Sequence, residues 1–328
     1  MLSPFNAPMG LSNPHIQTLW PSAFRPGIKL QRQRERIDTE DNDFFDVDWY
    51  GAGQRGVVIL LHGLTGSSQS HYILGLQRVL ADAGYRVAAI NFRGCSGESN
   101  LKAGSYHAGF TDDIDRLYQL VRARYRDLPV YSVGFSLGGN MMLKWLAEKA
   151  SKLQIEAAMA VSVPYCLASC ADRVDQGFSK VYRYHLISAM KQHIAEKKRY
   201  FAEQGIEDEL ARLNGLGDLR KIRSFWQFDH QVVAALNGFD DVHDYYAQCS
   251  SFGYLKNIRV ETLLVNALDD PFMTPAGLPN QHELADNTRL ITTEKGGHVG
   301  FMEKKGGGLE YWLESLALNF LSEKNSCR

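Results

Sequence analysis

The chain has 328 residues, 45% of them hydrophobic, and a formal charge of −1 at pH 7. That much apolar material can fill a sizeable core in one large α/β domain, or one domain carrying an insertion, and it excludes a disordered chain. The near-neutral balance offers no net field to draw in nucleic acid or an anionic membrane, so neither is an expected partner.

Five cysteines, Cys95, Cys166, Cys170, Cys249 and Cys327, form neither a dense disulfide scaffold nor a C-x-x-C pair. A reducing compartment and ordinary thiols are the expectation. The start of the chain lacks a signal-peptide pattern, and no run approaches the ~20 apolar residues of a membrane span, so a cytoplasmic location is expected.

In chain order, residues 1–30 are dense in proline and aromatic residues (Pro14, Trp20, Pro21, Phe24, Pro26) and predict an irregular surface arm. Gln31–Ile37 and the alternating Phe45, Val47 and Trp49 flank a turn-like Glu40-Asp41-Asn42-Asp43, which predicts a hairpin. Val57–Leu61 is continuously apolar and suits a strand buried on both faces at the centre of a sheet. Ile73, Leu76 and Leu80 have helical spacing, ended by Gly84, and Val87–Phe92 returns to strand character. Thr111 is placed to cap a helix carrying Ile114, Leu117 and Val121. Strand candidates follow at Val130–Phe135 and at Ala157–Val163, the latter closed by Pro164.

This alternation predicts a mostly parallel central sheet with helices on both faces, its ligand site beyond the carboxyl ends of the strands. From 165 to 256 the alternation stops. Helical segments such as Met190–Phe201 and Glu207–Leu213 predict a mainly helical cap inserted in the core, with Phe225, Trp226 and Phe228 as expected walls of a pocket. Strand and helix resume at Glu261–Asn266 and continue to a final helix near Leu309–Leu321. The expected division is an arm (1–30), an α/β core (31–164 and 257–328) and a cap (165–256).

Gly134-Phe135-Ser136-Leu137-Gly138 is a G-x-S-x-G sequence between the Val130–Phe135 strand and a run, Leu137, Met141 and Trp145, with helical spacing. Such a turn holds a serine hydroxyl clear of its own backbone and aims helix N-terminal amides at a developing oxyanion. A serine needs a base, and the base an orienting acid. Thr262–Ala267 leads to Asp269-Asp270-Pro271, and Arg289–Thr292 leads to Gly296-Gly297-His298-Val299-Gly300, where glycines let a loop bring the imidazole over Ser136. The order of serine, acid and histidine is that of a hydrolase triad, and spacing alone leaves Asp269 and Asp270 both open as the acid. Leu137 N–H is the first expected oxyanion donor. Leu64, in His62-Gly63-Leu64-Thr65-Gly66, is the second, with Thr65 next. His62 and Arg93 read as braces of their loops. No phosphate-cradling or metal-binding pattern is present, so no cofactor and no metal are expected.

Those motifs, together with Asn13-Pro14-His15-Ile16-Gln17-Thr18, Asn91-Phe92-Arg93-Gly94, Asp244-Tyr245-Tyr246 and Asn266–Pro271, span nearly the whole chain. The chain resembles the α/β-hydrolase superfamily and, within it, the YheT-like esterase family, which is related to abhydrolase-domain lipases and yeast medium-chain ethyl-ester synthases. The resemblance implies the α/β-hydrolase fold and a Ser136–Asp270–His298 triad, Asp270 being the match to the second acidic position of the family motif. It also implies a serine carboxylesterase acting on small or lipid-like esters, often with short or medium acyl chains. Some relatives carry an N-terminal membrane anchor, which is not expected here. An alcohol acyltransferase would use the same triad, whereas a non-catalytic ligand-binding relative would be expected to have lost part of it. The serine at the elbow counts against epoxide- and haloalkane-cleaving relatives, which place aspartate there.

Overall fold

Every side chain of the Val57–Leu61 run is buried, and successive residues enter opposite cores. Val57, Ile59 and Leu61 join one cluster, and Val58 and Leu60 the other, as the two-residue period of a strand requires. Such a strand must sit inside a sheet covered on both faces. The computed structural model describes residues 4–306 and 308–325.

The strands are β1 (Gln33–Asp38), β2 (Phe44–Tyr50), β3 (Val57–Leu61), β4 (Arg86–Asn91), β5 (Val130–Phe135), β6 (Ala157–Val161), β7 (Thr262–Ala267) and β8 (Thr288–Thr293). They form one eight-stranded sheet in the order β1-β2-β4-β3-β5-β6-β7-β8. The first two pair as the expected antiparallel hairpin, β2 runs antiparallel to β4, and the remaining pairs are parallel. Helices α1 (Pro14–Phe24), α2 (His71–Asp82), α3 (Asp112–Arg124) and α4 (Leu137–Lys149) come before β6. Helix α2 packs into one core, whereas α3 and α4 fill the other.

Between β6 and β7 lie α5 (Leu167–Val174), α6 (Ser179–Gln204), α7 (Glu207–Asn214), α8 (Phe225–Phe228), a π-helical stretch at Asp229–Ala234, α9 (Ala235–Asn237) and α10 (Val242–Cys249). Ile187, Ile194, Phe201, Leu213, Phe228 and Val232 from this segment form a small core of their own. Lys197 of α6 is fully buried, and its ammonium donates to the carbonyls of Lys102 (2.9 Å) and Gly104 (3.2 Å) and to Ser105 Oγ (2.7 Å). These bonds tie the helical segment to a core loop, and burial draws the lysine pKa down to about 7.

Four local expectations change. Residues 14–24 are a helix, not an irregular arm: Asn13 accepts from the amides of His15 and Ile16, and Pro14 takes the first helical position, where its missing N–H costs nothing. Thr111 has helical backbone angles and its hydroxyl donates to Glu148 (2.9 Å), so it makes no capping bond. The strand expected to reach Val163 stops at Val161, because Ser162 turns to φ +51°. Leu309 lies in a short polar hairpin of β9 (Met302–Lys305) and β10 (Gly308–Tyr311), and the final helix, α11, starts at Trp312 and runs to Asn325. Strands so short and exposed leave little periodic signal.

Candidate active site

Phe135 ends β5 and Leu137 begins α4, so Ser136 alone makes the strand-to-helix turn. It does so at φ +50° and ψ −123°, a conformation a non-glycine residue holds only when its surroundings enforce it. Two backbone bonds help: Ser136 N–H donates to Val161 O (2.8 Å), and Ser136 O accepts the first helical bond from Asn140 (3.0 Å). Gly138 is required by close approach, since a Cβ there would collide with the His62 carbonyl. The tight turn thus lets α4 rest against the end of β3.

His298 lies on the loop after β8, with Nε2 2.9 Å from Ser136 Oγ and Nδ1 2.8 Å from Asp270 Oδ2. Asp270 is at the carboxyl end of β7 and is nearly sealed, its side chain 1% exposed against 14% for His298. Its other oxygen accepts from Phe272 N–H (2.8 Å). An ionised carboxylate only accepts, so the imidazole carries its proton on Nδ1 and leaves Nε2 free to accept from the serine hydroxyl. Asp269 points the other way: its Oδ1 accepts from Gly297 N–H (3.0 Å), and burial raises its pKa from the ordinary aspartate value. Of the two adjacent aspartates, only Asp270 meets the imidazole.

A cavity of about 680 Å³ opens in front of Ser136 and His298. That is within the roughly 300–1,000 Å³ of small-molecule sites. Leu186, Met190, Phe225, Phe228, Val232 and Leu236 supply apolar wall from the helical segment. Trp226, expected beside Phe225 and Phe228, instead donates from Nε1 to Asp172 (2.8 Å) and packs its ring on Tyr246.

Leu64 and Leu137 both reach the cavity. Leu137 is the first residue of α4, where an amide has no intrahelical acceptor. The amides on either side of Leu64 are occupied: Gly63 N–H donates to the Tyr72 hydroxyl (3.0 Å) and Thr65 N–H to the Tyr106 hydroxyl (2.9 Å). That pairing leaves Leu64 rather than Thr65 as the candidate second donor.

His62 is buried and holds two loops together, with Nδ1 2.7 Å from Gly63 O and Nε2 accepting from Phe92 N–H (3.3 Å). Burial takes its pKa down to about 4, so it stays neutral. Arg93 is engaged by Asp113 (2.8 Å), Asp41 (2.5 Å) and Asp43 (3.3 Å). Among the described residues, no group of three or more His, Cys, Asp or Glu side chains could hold a metal ion, and no helix is long and apolar enough to cross a membrane.

Three neighbours of the site were not singled out by sequence reasoning. The Phe272 ring packs against His298 with centroids 4.3 Å apart and planes tilted by 31°, while Thr18 and Ser162 accept from backbone amides of the His298 loop. Thr18 falls inside the Asn13–Thr18 motif, which was the only available signal. Phe272 and Ser162 are common residues whose importance comes from fold alone.

Residues 56–305 match the family described as the alpha/beta hydrolase fold. The candidate esterase YheT of Escherichia coli is 35% identical over 333 residues, covering 97% of this chain and 94% of that protein. Phospholipase ABHD3 of Mus musculus is 29% identical over 285 residues, 84% of this chain and 67% of that protein. A solved structure of the Pyrococcus furiosus esterase Pf2001 shares the fold with a TM-score of 0.56 at 17% identity, covering 98% of this chain and 97% of that one. The elbow, the parallel sheet and these matches agree: the chain is a member of the α/β-hydrolase family, on the branch of YheT and its esterase- and lipase-type relatives.

Proposed function

We propose that this protein is a serine carboxylesterase that hydrolyses short- to medium-chain carboxylic esters through an acyl-enzyme on Ser136. The observation that carries the reading is the unbroken line from Asp270 through His298 to Ser136, 2.8 Å and then 2.9 Å, at the wall of an apolar cavity. Asp270 holds the imidazole in the tautomer that accepts at Nε2. His298 takes the serine proton as Oγ attacks the ester carbonyl, and the imidazolium that forms is stabilised by the buried carboxylate. The amides of Leu137 and Leu64 receive the oxyanion, a contribution for which loss of one donor typically costs about 10²–10³ in turnover. His298 then protonates the leaving alcohol, and water repeats the path to release the acid.

The helical segment between β6 and β7 acts as a cap whose apolar wall receives the acyl chain. Esterase- and lipase-type relatives support an ester substrate, and the size and lining of the cavity support an apolar acyl group. The reading is tested by stopped-flow hydrolysis of p-nitrophenyl esters of increasing chain length. A burst of p-nitrophenol equal to the enzyme concentration is expected, with a preference for short or medium chains. Steady release without a burst, from an activated ester whose acyl-enzyme is hydrolysed slowly, would count against an accumulating acyl-enzyme. Full turnover by Ser136→Ala would remove the serine from the mechanism.

A further inference from the structure

Three consecutive backbone amides surround the His298 side chain, and each donates to a side-chain oxygen from a different part of the fold. Gly297 N–H goes to Asp269 Oδ1 (3.0 Å) beyond β7, His298 N–H to Thr18 Oγ1 (3.0 Å) on α1, and Val299 N–H to Ser162 Oγ (3.1 Å) beyond β6. A loop has no ladder to satisfy its amides, and here side chains take that place. Val299 holds φ +61°, a conformation that a β-branched residue keeps only when its surroundings enforce it, next to Gly297, whose φ of +59° glycine adopts freely.

Helix α1 is built for close contact with this loop. Thr18 Oγ1 donates its own proton to Pro14 O (2.7 Å), which leaves its lone pairs facing the His298 amide. Gln17 is fully buried, accepts from Met302 N–H at Oε1 (2.7 Å), and donates from Nε2 to Met302 O (3.2 Å) and Leu11 O (2.8 Å). A Cβ on Gly300 would collide with the Gln17 carbonyl, and one on Gly297 would fall 2.7 Å from Thr18 Oγ1. The glycines flanking His298 therefore admit α1 as well as shaping the turn.

We infer that Thr18, Asp269 and Ser162 form a three-point cradle that positions the His298 imidazole between Ser136 and Asp270, with α1 as its outer arm. The inference rests on the triad reading for its effect on turnover, but the cradle itself is a matter of the imidazole's geometry. The cradle accounts for the Asn13–Thr18 motif, because Asn13 caps and Pro14 starts the helix that delivers Gln17 and Thr18 to the loop. It also gives Asp269 a role separate from that of its neighbour. These are positioning residues, since none of their bonds reaches Ser136 Oγ or the imidazole nitrogens.

The test uses Thr18→Val, which replaces the hydroxyl by a methyl at nearly constant volume, and Thr18→Ser, which restores the hydroxyl. Two readouts are taken: kcat and KM on p-nitrophenyl butyrate, and the downfield proton resonance of His298 Nδ1–H, assigned by its disappearance in His298→Gln. Thr18→Val is expected to lose about 10²-fold in kcat at unchanged KM, the scale of a small misplacement of a reacting group. Its Nδ1–H resonance should shift or broaden, and Thr18→Ser should return both to wild type. Ser162→Ala should move the same resonance in the same sense.

Wild-type kcat and an unchanged resonance in both Thr18→Val and Ser162→Ala would overturn the cradle, as would a loss that Thr18→Ser fails to restore. If Ser136→Ala stays active, the triad reading fails instead. The resonance still decides whether Thr18 and Ser162 orient the imidazole.

Discussion

The carboxyl edge of the sheet and the helical segment that follows β6 use their polar groups differently. At the sheet edge, Ser136, Asp270 and His298 sit on loops after β5, β7 and β8, and each is held by named bonds to backbone or to another side chain. In the helical segment the cavity wall is mostly aliphatic and aromatic, and it includes a buried carboxyl with no cationic partner among the described residues. Asp229, on the π-helical stretch, has the Tyr246 hydroxyl as partner (2.7 Å), and burial pushes its pKa up to about 7. One region fixes atoms to within a hydrogen bond, whereas the other provides volume. Under the proposed function, chemistry and specificity are separable, and substitutions in the two regions should fail in different ways.

The largest effect is expected at the sheet edge. Asp270→Asn should keep the fold and lower turnover by about 10⁴, because the amide supports the wrong tautomer. Asp269→Asn retains a carbonyl oxygen for Gly297 N–H and should cost far less. Steady-state kinetics of the two folded variants decide the matter, and the reverse ranking would exchange the two assignments.

Next come the cap walls. Phe225→Ala and Phe228→Leu should change the ratio of kcat/KM between butyrate and decanoate p-nitrophenyl esters by about 1–3 kcal/mol, while the serine stays reactive. Trp226→Phe, whose parent side chain turns to Asp172, should leave that ratio near wild type. If Trp226→Phe moved the chain-length profile and the other two did not, the wall would be drawn wrongly.

How much of this was legible in the sequence follows the same division. Ser136 and His298 stood out because strained turns and close approaches demand glycine at fixed offsets, and β3 stood out because a doubly buried strand must be apolar throughout. The choice of Asp270 over Asp269 needed a family resemblance, since neighbouring carboxylates look alike until the backbone aims them. Helix α1 was hidden by the proline and aromatic density around it, although Asn13-Pro14 is a sound start signal. Trp226 could not be told from Phe225, because the face that a short helix shows to a cavity depends on how the whole segment packs. Thr18 and Ser162 act through tertiary contacts of 280 and 137 residues' separation, which no local pattern encodes.

A smaller effect sharpens the contrast through pH. The Asp229 carboxyl is raised from 3.8 to about 7, so the folded state holds its proton more tightly than the unfolded chain does. Its contribution to stability is present below about pH 4 and is lost as pH rises through 7. Asp229→Asn keeps an acceptor for Tyr246 and cannot ionise. Urea denaturation should find it more stable than wild type at pH 8, by up to about 4 kcal/mol, and nearly equal near pH 4. A wild-type pH dependence in the variant would show that the strain lies elsewhere.

The central claim is that Ser136 is the nucleophile, and mass spectrometry of the protein after fluorophosphonate treatment tests it most directly. The account predicts one adduct, on the peptide containing Ser136, formed in wild type and absent from a folded Ser136→Ala variant. An adduct confined to another serine, or undiminished labelling of Ser136→Ala, would contradict it.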